Sequence, residues 1–215
     1  LLSAVFSLVW LITTGRRKSI LFAKRVRKTF EDLGYLWLHV AQLISVRHDV
    51  FSEKICKELL EVKYQRVAFP LEITRQTVDQ YIKGKFADIF EEFQEKPFAI
   101  LSISQIHRAR LKRENAWVAV KVMRMDAADI YAKDMEFLIF FDKLLSYLKI
   151  GTKLRLNEAL WELDEIAREE TDFRYELAHT EMMRKNLRKH DVFVPKVFRP
   201  YCSTQVMVSE YITGV

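Results

Sequence analysis

One lysine lies inside an apolar segment that has the composition of a β-strand. Lys121 follows Val118, Ala119 and Val120 and precedes Val122. If its side chain is buried, the ammonium group needs an anionic partner or loses its proton, because burying an unpaired charge is costly. If the lysine instead faces outward between inward-facing valines, it is an ordinary surface residue. The elements around Lys121 decide between these two interpretations.

The composition limits the kind of phosphate site that this lysine can belong to. The 215 residues are 50% hydrophobic and 30% charged, which is enough for one sizeable core or two small ones. Only five glycines occur, and they are widely spaced, so a Walker loop and a G-x-G-x-x-G turn are both excluded. Cys56 and Cys202 show no metal-binding spacing, and neither do the histidines. We therefore expect no disulfide framework and no metal site made of His or Cys.

The sequence starts with an apolar run that is followed by a basic arm. Leu1 to Ile12 is largely apolar, and much of the net charge of +6 comes from lysines and arginines between Arg16 and Lys28. The run is shorter than the ~20 residues needed to cross a bilayer. It is therefore the end of a truncated spanning helix, an interfacial anchor or a buried helix. The arm suggests an anionic partner, either lipid or nucleic acid.

A second basic group lies farther along the chain and contains Arg108, Arg110, Lys112 and Arg113. We interpret it as the solvated end of a hairpin, because no aromatic residues interleave with these cations to stack bases. No nucleic-acid partner is therefore expected.

Helical periodicity covers the N-terminal part of the chain. From Leu21 to about Leu71 the apolar residues recur every three or four positions, and Pro70 closes this section. Residues from Ile73 to Phe93 are interpreted as two short helices separated near Gly84. The prediction is a helical N-terminal domain over residues 1–96.

Residues 97–215 show a different pattern, which predicts strands and helices in an α+β domain. Three antiparallel strands are predicted over Phe98 to Ile103, Gln105 to Leu111 and Trp117 to Met123. Two further strands are predicted over Val192 to Val197 and Gln205 to Tyr211. Between these groups a long helix is predicted, and its apolar stripe is formed by Phe137, Phe141, Leu144 and Leu148.

A second long helix is predicted from about Asn157 to Arg188. Its apolar stripe is carried by Leu163, Ile166, Phe173 and Leu177. Glu170 falls on that stripe, where a charged residue is out of place in a core.

The order of these elements is that of the small lobe of a protein kinase, with about five antiparallel strands and a helix C. In that lobe the lysine of the third strand holds the α and β phosphates of the nucleotide and pairs with a glutamate of helix C. The loop between the first two strands differs from that of ordinary kinases. It contains no glycine and reads Ala99-Ile100-Leu101-Ser102-Ile103-Ser104-Gln105.

These motifs resemble the UbiB-like atypical kinases, the group that includes the ADCK proteins. The family's alanine-rich loop and following strand, A-A-A-S-I-G-Q-V-H-R-A, align with Ala99 to Ala109, and its V-A-V-K-V matches Val118 to Val122 at every position. Its E-x-D motif and helix-C glutamate align with Glu170 to Glu176. The family's N-terminal K-x-G-Q motif aligns with His39 to Gln42, where histidine replaces the lysine and Ala41 replaces the glycine.

The resemblance implies a role for each aligned residue. Lys121 would hold the phosphates, Glu176 would pair with Lys121, and Glu170 and Asp172 would form the E-x-D pair that faces the nucleotide or metal region. The hinge after the fifth strand would bind adenine through its backbone, and His39 and Gln42 would occupy the regulatory motif. The implied nucleotide-binding residues are Ala99, Ser102, Ser104, Gln105, Lys121, Glu210 and Tyr211. Ile100, Leu101 and Ser104 are bulkier than the family residues, so we expect weaker or differently shaped nucleotide binding.

The resemblance also implies a function. It is ATP or ADP binding with phosphoryl transfer or ATP hydrolysis, in support of isoprenoid-quinone biosynthesis or membrane lipid homeostasis. The implied partners are lipid or quinone-pathway proteins, and the implied location is a membrane surface: the bacterial inner membrane, a mitochondrion or a plastid. Mg²⁺ is expected through a large lobe whose aspartates would follow residue 215, so residues 1–215 are expected to be an inactive fragment. The alternatives are a pseudokinase-like module that binds lipid or a partner protein, and a basic adaptor at the membrane surface.

Overall fold

The computed structural model of the chain describes residues 20–63, 67–147 and 156–213. The apolar run Leu1 to Ile12 and the start of the basic arm lie outside these residues. The chain forms two compact units, Leu1–Gln65 with Asp129–Ala167 and Arg66–Ala128 with Arg168–Val215. The division into domains 1–96 and 97–215 stays a prediction. In the described part, none of the helices combines the length and apolarity that a membrane span requires.

The first unit is helical. Its N-terminal helices are α1 (Ile20–Leu33), α2 (Leu36–Ser45) and α3 (Glu53–Leu60). The helical prediction for this part of the chain is confirmed, but α1 and α2 are separate because Gly34 has a φ of 63° and Tyr35 a φ of 44°. The left-handed backbone at Gly34 ends α1, as glycine commonly does.

Helix α6 supplies most of the remaining first unit. Helices α4 (Leu71–Tyr81) and α5 (Phe86–Ile89) precede it in the chain, and α6 itself covers Ala127–Tyr147. Its buried stripe contains Tyr131, Met135, Leu138, Phe141 and Leu145. The predicted stripe is confirmed at Phe141, is half-buried at Phe137 and is wrong at Leu144, which is 37% exposed; Leu148 lies outside the described residues. Apolar side chains occur on nearly every side of this helix. The spacing of apolar residues in the sequence therefore cannot identify which side is buried.

The second unit is built on a five-stranded antiparallel sheet, which confirms the predicted α+β class. Strands β1 (Phe90–Phe93), β3 (Ser104–Leu111), β4 (Trp117–Met123) and β5 (Val206–Glu210) are neighbours in that order, and β2 (Ala99–Ile100) pairs with β3. The β3–β4 hairpin has the predicted strands.

Three strand predictions need correction. The residues Phe90–Phe93 form β1, although helix was predicted for them. The strand predicted over Phe98 to Ile103 is reduced to β2, because the chain turns at Leu101, whose N–H donates to the carbonyl of Ser104. The strand predicted over Val192 to Val197 is reduced to a single bridge between Val197 and Ser209.

The single long helix predicted between Asn157 and Arg188 is wrong. The structure has two helices, α7 (Leu156–Glu170) and α8 (Phe173–Asn186), separated by Thr171 and Asp172. The Asp172 carboxylate accepts a hydrogen bond from the backbone N–H of Arg174 and so caps α8. Glu170 is consequently the last residue of a helix and does not interrupt a continuous apolar stripe.

The core of the second unit lies on one face of the sheet. Val118, Val120 and Val122 alternate along β4, and all three are fully buried. The core also contains residues of α4, α5 and the neighbouring strands, including Val78, Ile82, Ile89, Ala109, Leu111, Val206 and Val208. Because strand side chains alternate between faces, the intervening residues of β4, among them Lys121, point to the other face.

Candidate functional site

Lys121 is paired with a carboxylate on the face of the sheet opposite the core. Its Nζ lies 2.5 Å from Oε2 of Glu176 and 4.7 Å from the centroid of the Phe173 ring. The lysine side chain is 19% exposed and the glutamate side chain 45% exposed. Of the two interpretations of Lys121, the structure therefore favours the paired, largely shielded lysine. The exposed glutamate leaves one side of the pair open to solvent.

The start of helix α8 places Glu176 opposite Lys121. Phe173 is buried, and its backbone N–H donates to the carbonyl of Thr204, just before β5. Glu176 lies one helical turn after Phe173, so both side chains project from the same side of α8. The buried ring and the hydrogen bond to Thr204 hold the start of α8 beside β5, the neighbour of the strand that carries the lysine.

The two acidic residues of the E-x-D motif lie at the junction of α7 and α8. Asp172 accepts hydrogen bonds from the Arg174 guanidinium at 2.6 and 3.0 Å and from the Arg174 backbone at 2.9 Å. These bonds, led by the side-chain contact, lower the pKa of the Asp172 carboxyl below its ordinary value. Glu170 is half-buried at the end of α7. Within the described ranges no three His, Cys, Asp or Glu residues are grouped to hold a metal ion.

The alanine-rich segment has a compact conformation without glycine. Ala99 and Ser102 are half-buried, and Ser104 is 3% exposed. Ser104 replaces the family's glycine, yet its φ is not positive, so the backbone there does not require glycine.

Gln105 is turned away from Lys121, which contradicts a side-chain contact to a nucleotide held by that lysine. It pairs with Val122, a core-face residue, and is fully buried. Its amide oxygen accepts from the N–H of Phe69 at 3.0 Å, and its amide nitrogen donates to Thr74 Oγ1 at 3.0 Å. The reason is the strand alternation, which a sequence motif does not reveal. Gln105 satisfies buried polar groups on the core side.

Glu210 ends β5 and Tyr211 follows it, at the expected position of the hinge. Glu210 pairs with Val118, so its side chain points to the core face, where Oε2 accepts from the N–H of Lys196 at 3.2 Å. The N–H of Tyr211 donates to the carbonyl of Trp117 at 3.2 Å. The side chain of Glu210 is therefore engaged on the core face, whereas the hinge role that the family implies uses only backbone groups.

Sequence reasoning missed a cluster of cation and rings beside the hinge. The guanidinium carbon of Arg108 lies 4.0 Å from the centroid of the Trp117 ring and 4.8 Å from that of Tyr211. The interpretation of Arg108 as a solvated hairpin residue is thus wrong. The hairpin sequence could have indicated this cluster. Once β3 and β4 are paired, alternation along the two strands places Arg108 and Trp117 on the same face of the sheet as Lys121.

The residues of the divergent K-x-G-Q motif lie on α2 in the first unit. His39 is half-buried and Gln42 is exposed. The backbone carbonyl of Gln42 accepts from Ser45 Oγ at 2.6 Å, and Arg47 binds Asp49 through two hydrogen bonds of 2.9 Å. The regulatory role of His39 and Gln42 stays a prediction.

Comparison with known proteins places this site in a family context. Two bacterial relatives are each described as a probable protein kinase UbiB. The one from Vibrio parahaemolyticus is 30% identical over 211 residues, which are 97% of this chain and 38% of the relative. The one from Blochmanniella pennsylvanica is 28% identical over 203 residues, which are 94% of this chain and 37% of the relative. The chain therefore spans less than two fifths of the length of these relatives.

A solved structure shares the fold. The complex of Rv3197 with erythromycin from Mycobacterium tuberculosis superposes with a TM-score of 0.62 at 24% identity, over 91% of this chain and 50% of that chain. The ABC1 atypical kinase-like domain matches residues 61–215, which include Lys121, the E-x-D motif and Glu176. Since this match covers well over half of the chain, the protein belongs to the ABC1 atypical kinase-like family, together with its UbiB relatives.

Proposed function

We propose that the protein binds ATP or ADP and takes part in phosphoryl transfer or ATP hydrolysis, as an atypical kinase of the UbiB type. The observation that carries this proposal is the pair of Lys121 and Glu176, whose Nζ and Oε2 atoms lie 2.5 Å apart on the face of the sheet opposite Val118, Val120 and Val122. A lysine ammonium in this position is a compact point charge suited to phosphate oxygens.

The ion pair between Lys121 and Glu176 is weak enough for Lys121 to interact with a phosphate as well. An ion pair between partly exposed groups contributes only ~0–1 kcal/mol to stability, and the Phe173 ring adds a contact to the same ammonium group. Glu176 therefore orients Lys121 without holding it so tightly that an incoming phosphate cannot share it. In kinases this lysine contacts the α and β phosphates while it keeps its glutamate.

The other proposed roles are those that the family resemblance implies for each residue. Phosphate oxygens would lie at Lys121, beside Ser102 and Ser104, and the base would meet backbone groups at Glu210 and Tyr211. Ala99 would line the same segment. Glu170 and Asp172 lie at the junction of α7 and α8 and would shape the metal side of the site. Mg²⁺, when bound, would neutralise charge on the phosphates, and its principal ligands are expected from the large lobe.

The cellular setting is the part of the proposal that rests on the relatives alone. Two bacterial relatives carry the name UbiB, and the resemblance to that family implies a role in isoprenoid-quinone biosynthesis or membrane lipid homeostasis. Association with the bacterial inner membrane, or with a mitochondrion or plastid membrane, would follow, with lipid or quinone-pathway proteins as partners. Under this proposal His39 and Gln42 would regulate access to the site.

Calorimetric titration with Mg·ATP tests the nucleotide site. We expect Lys121→Ala to abolish measurable binding, because the variant loses the only charge proposed to hold the phosphates from this sheet. The matched control is Lys112→Ala, whose ammonium group instead donates to the carbonyl of Ala87 at 2.6 Å, near the far end of the hairpin. The proposal fails if Lys121→Ala binds Mg·ATP as tightly as the parent protein.

A further inference from the structure

Arg108 lies half-buried on β3, beside two aromatic rings. Arg108 pairs with Ala119, so it shares a face with Lys121. Its guanidinium lies over the rings of Trp117 and Tyr211, at 4.0 and 4.8 Å from their centroids. Its Nε is buried and has no hydrogen-bond partner. Buried donors usually have an acceptor. Because this one has none, the two rings hold the side chain in this conformation.

Strand geometry shows where this cluster lies relative to the lysine. Each residue of a strand advances by about 3.3 Å, so Ala119 lies about 7 Å from Lys121 on the same face, and Trp117 about 13 Å. Tyr211 is joined to Trp117 by a backbone hydrogen bond of 3.2 Å. Arg108 therefore occupies the surface between the proposed phosphate end at Lys121 and the proposed hinge at Tyr211.

A nucleotide that reaches from Lys121 to the hinge must lay its base over this surface. The sheet residues beneath it are small, Ala119 on β4 and Ser209 on β5, which pair directly with each other. The guanidinium of Arg108 is the large planar group present there. The Tyr211 ring that it contacts is itself supported by Phe98, edge-on at 5.5 Å between centroids.

We propose that the side chain of Arg108 closes the base position of the nucleotide site, so that a nucleotide must displace it from Trp117 and Tyr211 in order to bind. The proposal rests on the nucleotide-binding function put forward above and adds a residue that sets affinity and selectivity. A base has to replace a cation–π contact that is already made. Affinity for ATP is therefore low in the parent protein, whereas a ligand with phosphates and no base is indifferent to Arg108.

The test compares Mg·ATP with inorganic tripolyphosphate in calorimetric titrations of the longest natural form of the protein that contains this chain. We expect Arg108→Leu to bind Mg·ATP about tenfold more tightly than the parent, because a base no longer has to displace the guanidinium from the two rings. Its affinity for tripolyphosphate should not change. Arg108→Lys should shift ATP affinity in the same direction by less, since it keeps the charge but loses the planar group.

The control is Arg110→Leu, on the same strand and face but one step farther from Lys121. Arg110 hydrogen-bonds Asn115 and lies within 3.5 Å of Glu91 and Glu92, so its loss should alter neither affinity. Thermal denaturation shows whether each variant is folded. If Arg108→Leu is not folded, Arg108→Lys is used in its place.

Each outcome separates this inference from the proposed function. If the parent binds both ligands through Lys121 and neither Arg108 variant binds ATP more tightly, the inference is wrong and the proposed function stands. If Arg108→Leu weakens ATP and tripolyphosphate equally, Arg108 attracts phosphates and does not close the base position. If the parent and the Arg108 variants bind neither ligand, both proposals fail.

Discussion

The two faces of the sheet in the second unit carry different types of residue. One face carries Val118, Val120 and Val122 and is fully buried against apolar residues. The other carries Lys121 and Arg108, both cations in contact with aromatic rings, beside the buried Met123 and Met207. Consecutive residues of the same strand therefore have different roles: one contributes to the core and the next carries a charge on the opposite face. Apolar burial supplies most of the stability of a fold, whereas ion pairs with exposed partners supply little, so the polar face is free to carry chemistry.

The largest effect expected from this comparison is on the apolar face. Leu111 is fully buried in the core at the end of β3. Leu111→Ala should lower the free energy of unfolding by about 2–5 kcal/mol, because it removes apolar contacts and leaves a cavity. Ile106→Ala, on the same strand but on the lysine face and only half-buried, is the control and should cost less. Urea denaturation measures both, and equal losses would contradict a difference between the faces.

A buried polar group on the apolar face is expected to rank next. Gln105→Ala should lower the free energy of unfolding by about 1–3 kcal/mol, since it leaves the N–H of Phe69 and the hydroxyl of Thr74 without their partner. Gln80→Ala, an exposed glutamine on α4, is the control in the same denaturation series. A Gln105 variant as stable as the parent but deficient in nucleotide binding would restore Gln105 to the functional site.

The cap of α8 should contribute less and should depend on pH. Asp172→Ala should cost about 0.5–2 kcal/mol at neutral pH. The pKa of the Asp172 carboxyl is lowered in the folded protein from an ordinary value of 3.8, so its stabilisation is complete above about 3.8 and is lost as the pH falls through the lower folded value. The stability difference between parent and variant should therefore shrink below that pH.

Asp172→Asn separates the two contributions of this residue. Asparagine is also a good helix cap, so the variant keeps the hydrogen bond to the backbone of Arg174 but loses the charge that attracts its guanidinium. It should be more stable than Asp172→Ala, and its stability relative to the parent should change with pH in the same direction. A pH-independent difference between parent and both variants would show that the carboxylate charge contributes nothing.

The smallest effect on stability is expected at the centre of the polar face. Glu176→Gln should change the free energy of unfolding by less than about 1 kcal/mol, because the glutamate side chain is 45% exposed and such pairs are screened by solvent. Chemical denaturation at low and high salt checks this. A loss larger than that of Gln105→Ala would mean that the ion pair is structural.

The sequence predicts the hairpin and its lysine well because their pattern is local. Alternation across Trp117–Met123 defines both the strand and the phase of Lys121. The break at Asp172 was missed because apolar residues on both sides keep a helical period. In the sequence, the only sign of a cap that ends one helix and starts the next is a single aspartate, Asp172.

Contacts between residues distant in sequence were the least predictable. The burial of Gln105 depends on Phe69 and Thr74, which precede it by more than thirty positions. The position of Arg108 depends on Tyr211, which directly follows β5 and lies about a hundred positions later in the chain. The family motif brought Glu176 and Lys121 to attention as a pair, but it gave no information on which face of β3 each aligned residue occupies.

The most direct test of the account compares two adjacent residues that point in opposite directions, Val120 and Lys121. Affinity for Mg·ATP and free energy of unfolding are measured for Val120→Ala and Lys121→Ala at a temperature where both are folded. We expect Val120→Ala to lose stability and keep nucleotide affinity, whereas Lys121→Ala should keep its stability within about 1 kcal/mol and lose nucleotide binding. Retained binding in Lys121→Ala, or equal loss of binding in both variants, would contradict it.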